Sequence, residues 1–196
     1  MSETTFNLDP SHTALVLIDL QKGIAGNPVA PHSGAEVVAN AARLADRFRE
    51  LGALVVLVHV MYSKDGRDRL TAPVDSQMPA RTLPPDWADF VPEIGPRDGD
   101  LIIAKHQWGA FYGTELDLQL RRRGVNTIVM GGIATNMGVE STARDAYERG
   151  YAQVLVEDAM ASFTAEAHEF AIKTIFPRIA RVRSTDQVLA AMPTSR

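Results

Sequence analysis

The sequence predicts an α/β protein with a doubly wound, six-stranded and mostly parallel sheet that carries helices on both faces. Short β-branched runs alternate with amphipathic segments along the whole chain. The runs are apolar on both sides of the pleat, as strands covered on both faces must be. Such alternation implies parallel strands joined by right-handed crossovers. Because the 196 residues contain no repeat and no low-complexity tract, we expect a single three-layer α/β/α domain over residues 1–196.

The strands are the most regular predicted elements. Each is a short apolar run rich in valine, isoleucine or leucine. In chain order, the predicted strands are Ala14–Asp19, Ala53–Met61, Leu101–Lys105, Thr127–Gly131, Ala152–Glu157 and Ile179–Arg183.

Helices between the strands have recognisable starts and ends. Three hydroxyl residues stand three positions before Glu, Asp or Gln, the spacing of a capping box: Ser33 with Glu36, Thr114 with Asp117, and Ser184 with Gln187. The helix after Ser33 keeps apolar residues at helical spacing as far as Gly52. The basic run Arg121–Arg123 precedes Gly124, which favours a solvated helix end over a phosphate site.

Composition excludes several classes of function. The apolar fraction of 45% and charged fraction of 22% are typical of a globular protein. A formal net charge of −4 gives no indication of nucleic-acid binding. The absence of cysteine excludes disulfides, thiolate metal sites and thiol catalysis, and it fits a reducing compartment. No signal-peptide pattern opens the chain, and no apolar run approaches the ~20 residues of a membrane helix, so we expect a cytoplasmic protein without a membrane partner.

The segment 62–100 interrupts the alternation. It holds six of the eleven prolines, namely Pro73, Pro79, Pro84, Pro85, Pro92 and Pro96. A loop of this length in a compact domain is typical of a lid or binding element. The alternative is a loop that packs on the surface or on a neighbouring subunit.

The ends of the strands indicate where a ligand binds. In an open parallel sheet, ligands bind beyond the carboxyl ends of the strands, where the strand order reverses. The first strand ends in Asp19, followed by Gln21, and the third ends in Lys105. Because an unpaired buried charge is costly, Asp19 and Lys105 each need a partner. We expect them to form a functional pair, with a purely structural ion pair as the alternative.

The fourth strand runs into the glycine-rich segment 131–138, which opens a helix. Backbone N–H groups at such a helix start can hold an anion or a developing oxyanion. The segment matches neither a dinucleotide fingerprint nor a Walker loop, and we therefore expect no nucleotide cofactor.

Together these features resemble the isochorismatase-like hydrolase superfamily, also called the cysteine hydrolases. It includes nicotinamidases, N-carbamoylsarcosine amidohydrolases and isochorismatases. The resemblance spans nearly the whole chain and rests on three segments: Ala14–Gln21, Lys105–Thr114 and Gly132–Thr142.

The resemblance implies roles for individual residues. Asp19 matches the catalytic acid/base and Lys105 the second catalytic residue. Gly138 occupies the position of the cysteine nucleophile of amidase members, so the chain resembles a subgroup in which glycine replaces that cysteine. The family's turn also has a non-proline cis peptide, here between Ile133 and Ala134, which aims the N–H groups of Ala134 and Gly138 at an oxyanion. The expected substrate-binding residues are Gln21, Trp108, Phe111, Thr135 and Asn136. For the aromatic residues, a subunit interface or the core remains an alternative.

Glycine at position 138 determines the expected chemistry. Amide hydrolysis through a thioester is not available, and the hydroxyls of Thr135, Ser141 and Thr142 fall at other angular positions. True isochorismatases are similar in having glycine here, and they cleave a vinyl ether without a nucleophilic side chain. By this resemblance, Asp19 protonates the enol ether carbon and water adds to the oxocarbenium. Residues 134–136 nevertheless look amidase-like, and the substrate stays open.

No metal site is predicted. The Asp-x-His set of nicotinamidases is missing after the second strand, where His59 is interpreted as a core residue. The other histidines, His12, His32, His106 and His168, are scattered along the chain. Relatives of this fold are commonly dimers or larger, so we expect a homo-oligomer that acts on a small molecule. The alternatives to a hydrolase are a metabolite-binding or sensor protein that retains the pocket, and a structural subunit that is active only with another chain.

Overall fold

A computed structural model describes residues 6–76 and 83–194. Its centre is one six-stranded sheet in the order β3-β2-β1-β4-β5-β6, and all neighbouring strands are parallel. The strands are β1 Thr13–Ile18, β2 Leu54–Val60, β3 Leu101–Lys105, β4 Thr127–Ile133, β5 Ala152–Ala161 and β6 Arg181–Arg183. The predicted fold class is confirmed.

Helices connect the strands. The α-helices are α1 Lys22–Ala25, α2 Gly34–Glu50, α3 Leu116–Arg122, α4 Glu140–Glu148, α5 Ala165–Phe170 and α6 Thr185–Ala191. Two π-helical turns adjoin them, Thr135–Val139 before α4 and Ala171–Ile175 after α5. Short 3₁₀ turns cover Pro92–Ile94 and Phe176–Arg178. None of the helices in the described part of the chain is long and apolar enough to span a membrane.

The sheet separates two hydrophobic cores. Leu15 and Leu17 of β1 pack on one face, in the core that also contains residues of α2 and α6. Val16 and Ile18, pointing the opposite way, pack in the core that contains residues of α3 and α4. Successive strand residues point to opposite faces, so a strand that is buried throughout must be covered twice. The result is the expected three-layer arrangement.

Two of the three predicted capping boxes are present. Ser33 and Glu36 cap α2 reciprocally, and Ser184 and Gln187 do the same for α6. The box predicted for Thr114 and Asp117 is wrong. The Thr114 hydroxyl accepts a hydrogen bond from the backbone N–H of Leu116. The Asp117 carboxylate instead accepts one from the hydroxyl of Tyr151, a tertiary contact that the local spacing does not reveal.

Only β3 has the predicted bounds at both ends, and the other five strands differ by one to four residues at an end. β5 continues past Glu157 to Ala161 because its register against β4 shifts between Met130 and Gly132 and the pairing then resumes. β6 begins only at Arg181, since the preceding Phe176–Arg178 forms a 3₁₀ turn.

The proline-rich segment 62–100 packs against the core in its second half. Ile94 is fully buried, and Phe90 forms an isolated β-bridge with Gln21, next to the end of β1. Pro79 lies outside the described residues, as do 77–82 as a whole.

Candidate active site

The ends of β1 and β4 form the centre of the site. These two strands are neighbours, and the strand order reverses between them, which is where ligands bind in doubly wound sheets. Gly132 allows the ends of β1 and β4 to lie close together, because a Cβ at this position would lie 2.1 Å from the carbonyl oxygen of Ile18. Its φ of +131° is also a conformation that only glycine adopts readily.

Asp19 and Lys105 meet at this edge, as the sequence predicted. Lys105 Nζ lies 2.7 Å from Asp19 Oδ2 and also donates to the carbonyl oxygen of Gln107 at 3.0 Å. Only 5% of Asp19 and 1% of Lys105 is exposed. The ion pair therefore reaches across β2, which lies between the two strands, under almost complete exclusion of solvent.

The carboxyl group of Asp19 is in an unusual electrostatic state. Burial raises its pKa to about 6, although the charge and hydrogen bond of Lys105 act to lower it. Oδ1 is buried and forms no hydrogen bond with the residues that the structure describes. One oxygen is thus held by Lys105, and the other is buried without a hydrogen-bond partner among the described residues.

Position 138 faces this carboxyl group. A Cβ built on Gly138 would lie 3.2 Å from Asp19 Oδ2, 3.0 Å from Ile18 Cγ2 and 3.4 Å from the carbonyl oxygen of Trp108. The turn around it contains the expected cis peptide between Ile133 and Ala134. A side chain at position 138 would point into the site, and glycine leaves that space without a nucleophile.

Gln21 lies next to the site, but its side-chain amide forms hydrogen bonds with backbone groups. It is fully buried, its Nε2 donates to the carbonyl oxygens of Val60 and Trp87, and its Oε1 accepts from the N–H of Val60. The amide therefore ties the end of β2 to the loop around Trp87. Through these contacts Gln21 can position the wall of the site.

The hydroxyl groups near the turn are also engaged. Thr142 donates to the carbonyl oxygen of Gly138 and accepts from the N–H of Ala110. Thr135 pairs with His168, with Oγ1 and Nδ1 2.8 Å apart. Asn136 Oδ1 accepts a hydrogen bond from Ser162. The side chains of Thr135, Asn136 and Thr142 therefore stabilise the turn through hydrogen bonds to neighbouring residues.

The two aromatic residues predicted to bind substrate, Trp108 and Phe111, lie in different places in the structure. The backbone of Trp108 contacts the space at position 138, and its side chain is 59% exposed. The ring of Phe111 is instead buried in the core and stacks with Tyr151 at a centroid distance of 5.9 Å. The structure therefore does not bring Phe111 together with the other candidates.

Sequence reasoning missed three side chains from the proline-rich segment. Tyr62 stacks on Trp87 with ring centroids 5.6 Å apart, and the Arg69 guanidinium lies 4.9 Å from the Tyr62 ring centre. Burial raises the pKa of Tyr62, the charge of Arg69 opposes this, and the charge of Asp19 acts in the same direction as burial. The prolines indicated a binding element, but no local pattern distinguishes these three residues.

His32 and His168 are far apart in the sequence but lie together in the fold. Together with Glu157 they form a cluster in which one potential ligand atom from each residue lies within 4.8 Å of the others. The two imidazole rings meet edge to face at 5.8 Å. Burial lowers the pKa of His168 to about 4, and the neighbouring His32 contributes.

Residues 13–187 match the isochorismatase domain family. The chain belongs to the isochorismatase family. It is 51% identical to YwoC of Bacillus subtilis over 94% of this chain and 96% of YwoC. It is also 51% identical to YecD of Escherichia coli O157:H7, over 94% of this chain and 98% of YecD. Both relatives carry the description "uncharacterized isochorismatase family protein".

Solved structures of this family share the fold. An isochorismatase family protein from Burkholderia thailandensis superposes with a TM-score of 0.91 and 46% identity, covering 96% of this chain and 98% of that one. N-carbamoylsarcosine amidase from Thermoplasma acidophilum gives 0.71 and 28%, covering 89% and 96%. A ureidoacrylate amidohydrolase from Rhizobium rhizogenes is 29% identical over 89% of this chain and 82% of its own. The isochorismatase family to which the chain belongs therefore contains hydrolases.

Proposed function

We propose that this chain is a hydrolase of a small metabolite that works without a covalent intermediate, by the acid-assisted cleavage of a vinyl ether. The observation that carries the proposal is the state of Asp19. Its carboxyl group is buried, has a pKa raised to about 6, and has Oδ2 3.2 Å from where a Cβ at position 138 would lie, a space that glycine leaves open. A carboxyl group with a pKa near the working pH is suited to general acid catalysis.

In the proposed reaction, protonated Asp19 gives its proton to the terminal carbon of the enol ether. The carbon–carbon double bond supplies the electron pair for the new C–H bond, and an oxocarbenium ion forms. Water adds to that ion, and collapse of the resulting hemiketal breaks the C–O bond and releases a ketone and an alcohol. The proton lost from water returns to the Asp19 carboxylate. Lys105 is in place to stabilise that carboxylate between the two transfers, 2.7 Å away.

Substrate binding is assigned to the walls of the site. Tyr62 and Trp87 offer stacked aromatic surface, and Arg69 has its guanidinium over Tyr62. Arginine binds carboxylates through paired N–H groups, which supports a small carboxylated substrate. The N–H groups of Ala134 and Gly138 in the turn are proposed to hold a negatively charged oxygen, and Thr135, Asn136 and Gln21 to position the walls around it.

The related amidases do not provide the mechanism for this chain. N-carbamoylsarcosine amidase and ureidoacrylate amidohydrolase act on amide-type bonds by their names. A thioester route needs a cysteine, and this chain contains none. Thr135 and Thr142, the two buried hydroxyls around the turn, are hydrogen-bonded elsewhere.

The test is a screen of carboxylated vinyl ethers, with isochorismate among them, followed by Asp19→Asn on any substrate that is turned over. Loss of the general acid should lower kcat by about 10²–10⁴-fold. Asp186→Asn is the matched control, because Asp186 lies on the surface in an ion pair with Arg43 and should leave turnover unchanged. Equal turnover by Asp19→Asn and the unchanged protein would refute the proposal.

The same screen distinguishes a metabolite-binding protein from an enzyme. A binder raises the melting temperature by mass action, and its ligand is recovered chemically unchanged. Turnover in the same samples supports the hydrolase.

We also propose that the chain forms a homo-oligomer. Tyr112 and Tyr147 are large, apolar side chains with 77% and 53% of their surface exposed, besides the half-exposed Trp108. Exposed aromatic residues are enriched in interfaces. Light scattering should give a multiple of 21.4 kDa, and the monomer mass at micromolar concentration would contradict this.

A further inference from the structure

A second group of side chains, outside the proposed catalytic pair, has the composition of a metal site. His32, Glu157 and His168 come from three different parts of the chain, and one potential ligand atom of each lies within 4.8 Å of the other two. His168 is buried, with 2% of its surface exposed, while His32 and Glu157 are half-buried. Two imidazoles and one carboxylate are a common ligand set for zinc and for non-haem iron.

The backbone holds these three residues in place. His32 immediately precedes Ser33, the residue that caps α2. Two residues before His32, Ala30 exchanges backbone hydrogen bonds with Ser162, the residue that follows β5, with N···O distances of 2.8 and 2.9 Å. Glu157 belongs to β5 itself. The cluster is therefore built on packed elements, which limits the rearrangement that an ion would require.

The hydrogen bonds leave ligand atoms available. His168 Nδ1 is 2.8 Å from the hydroxyl of Thr135, which leaves Nε2 for another partner. Metal-bound histidines typically have their second ring nitrogen fixed by such a contact. Within residues 6–76 and 83–194, the Glu157 carboxylate forms no ion pair or hydrogen bond, and the His32 ring forms no hydrogen bond. A half-buried carboxylate without a cation is the group that a bound cation stabilises most.

We propose that His32, Glu157 and His168 bind one divalent transition-metal ion, with zinc as the reference ion. Zinc–ligand distances of about 2.0–2.2 Å in a tetrahedron separate the ligand atoms by roughly 3.4 Å. The side chains thus need to approach by about 1.4 Å at most, within reach of small rotations. Three protein ligands leave a fourth position for water.

The ion would also fix the turn of the proposed active site. Thr135 is the first residue of the turn that contains Gly138, and His168 is its hydrogen-bond partner. An ion on His168 makes Nδ1 the protonated nitrogen and the Thr135 hydroxyl its acceptor. The role assigned to the ion is therefore positioning, and its binding can be measured whether or not the hydrolase proposal holds.

Calorimetric titration of the chelator-stripped full chain with zinc chloride tests the proposal. We expect one ion per chain with a dissociation constant in the micromolar range or tighter. His32→Gln and Glu157→Gln should each weaken zinc affinity at least tenfold, and Thr135→Val by about 10–100-fold through loss of the supporting hydrogen bond. His106→Gln is the matched control, because that exposed histidine also lies beside an acid, Asp68, and its loss should leave the affinity unchanged.

Cobalt substitution supplies a spectroscopic readout. Co²⁺ bound by the cluster in the unchanged chain should give the intense visible bands of a four-coordinate site, and His32→Gln or His168→Gln should abolish them. Because His32 and Glu157 are half-buried, their variants test the site even if His168→Gln fails to fold. Absence of stoichiometric binding overturns the proposal. Equal affinity of the unchanged chain, His32→Gln and Glu157→Gln also overturns it, since it indicates an adventitious ion only.

Discussion

The environment of Asp19 shows how one residue combines opposing effects. Its backbone adopts a left-handed conformation with φ of 55°, which costs roughly 1–2 kcal/mol for a residue with a Cβ. Its carboxyl group is desolvated by burial and attracted by Lys105 at 2.7 Å. Desolvation is the larger of these two influences on the pKa. The ion pair thus moderates, without reversing, the tendency of Asp19 to hold its proton.

This balance predicts the pH dependence of the proposed hydrolase. An acid catalyst must be protonated in the free enzyme, and the pKa of Asp19 is raised to about 6. We expect kcat/KM to be constant below pH 6 and to fall tenfold per pH unit above it. Initial rates between pH 5 and pH 8, corrected for substrate ionisation, measure the profile. A rate that instead rises through pH 6 would assign Asp19 the role of a base.

Sequence reasoning reached the proposed catalytic pair but not its electrostatics. Asp19 and Lys105 were predictable because each closes an apolar strand on the ligand-binding edge of the sheet. The direction of the Asp19 pKa was not, because it depends on the depth of burial and on the strength of the opposing Lys105 contact. Both quantities arise from packing that no local pattern encodes.

At the scale of elements, the turn Thr135–Val139 distinguishes this chain from a thiol enzyme, because it has glycine at position 138 where a thiol enzyme would have cysteine. Gly138→Cys places a Cβ 3.2 Å from Asp19 Oδ2, with contacts to Ile18 that a shift of a few tenths of an ångström relieves. We expect the new thiol to react with iodoacetamide faster than free cysteine at pH 7, since Lys105 and the helix start lower its pKa. Because the chain has no other cysteine, all labelling reports on this position.

Ser141→Cys is the control for that experiment. It places a thiol three residues further along, in α4 and half-buried, where it should react no faster than free cysteine. If both variants label at the same rate, the space at position 138 has no special electrostatic character.

Helix starts were predictable wherever the residues that determine them are close together in the sequence. The capping boxes at Ser33 and Ser184 are confirmed because both partners lie in one helical turn. The third failed because Asp117 binds Tyr151, 34 residues away in sequence. The cluster of His32, Glu157 and His168 was missed for the same reason, since His32 is far from the other two in sequence and meets them only through tertiary packing.

At the scale of the whole molecule, the proposed active site should reduce the stability of the fold at neutral pH. The folded-state pKa of Asp19, about 6, lies above its ordinary value of 3.8. A raised pKa contributes stability that is fully present below about pH 4 and is lost as the pH rises through 6. The shift corresponds to a difference on the order of 3 kcal/mol in the free energy of unfolding. A purely structural ion pair would have lowered the pKa and produced the opposite trend.

Urea denaturation of the unchanged protein and of Asp19→Asn at pH 4 and pH 8 measures this effect. Asparagine keeps the shape of the side chain but cannot ionise. The unfolding free energy of the variant relative to the unchanged protein should therefore increase by about 2–3 kcal/mol between the two pH values. Asp186→Asn, on the surface, should show a much smaller change, because exposed ion pairs contribute little. If the unfolding free energy of the variant relative to the unchanged protein instead decreases between pH 4 and pH 8, the Asp19–Lys105 contact is a stabilising ion pair and the physical basis for Asp19 as an acid is removed.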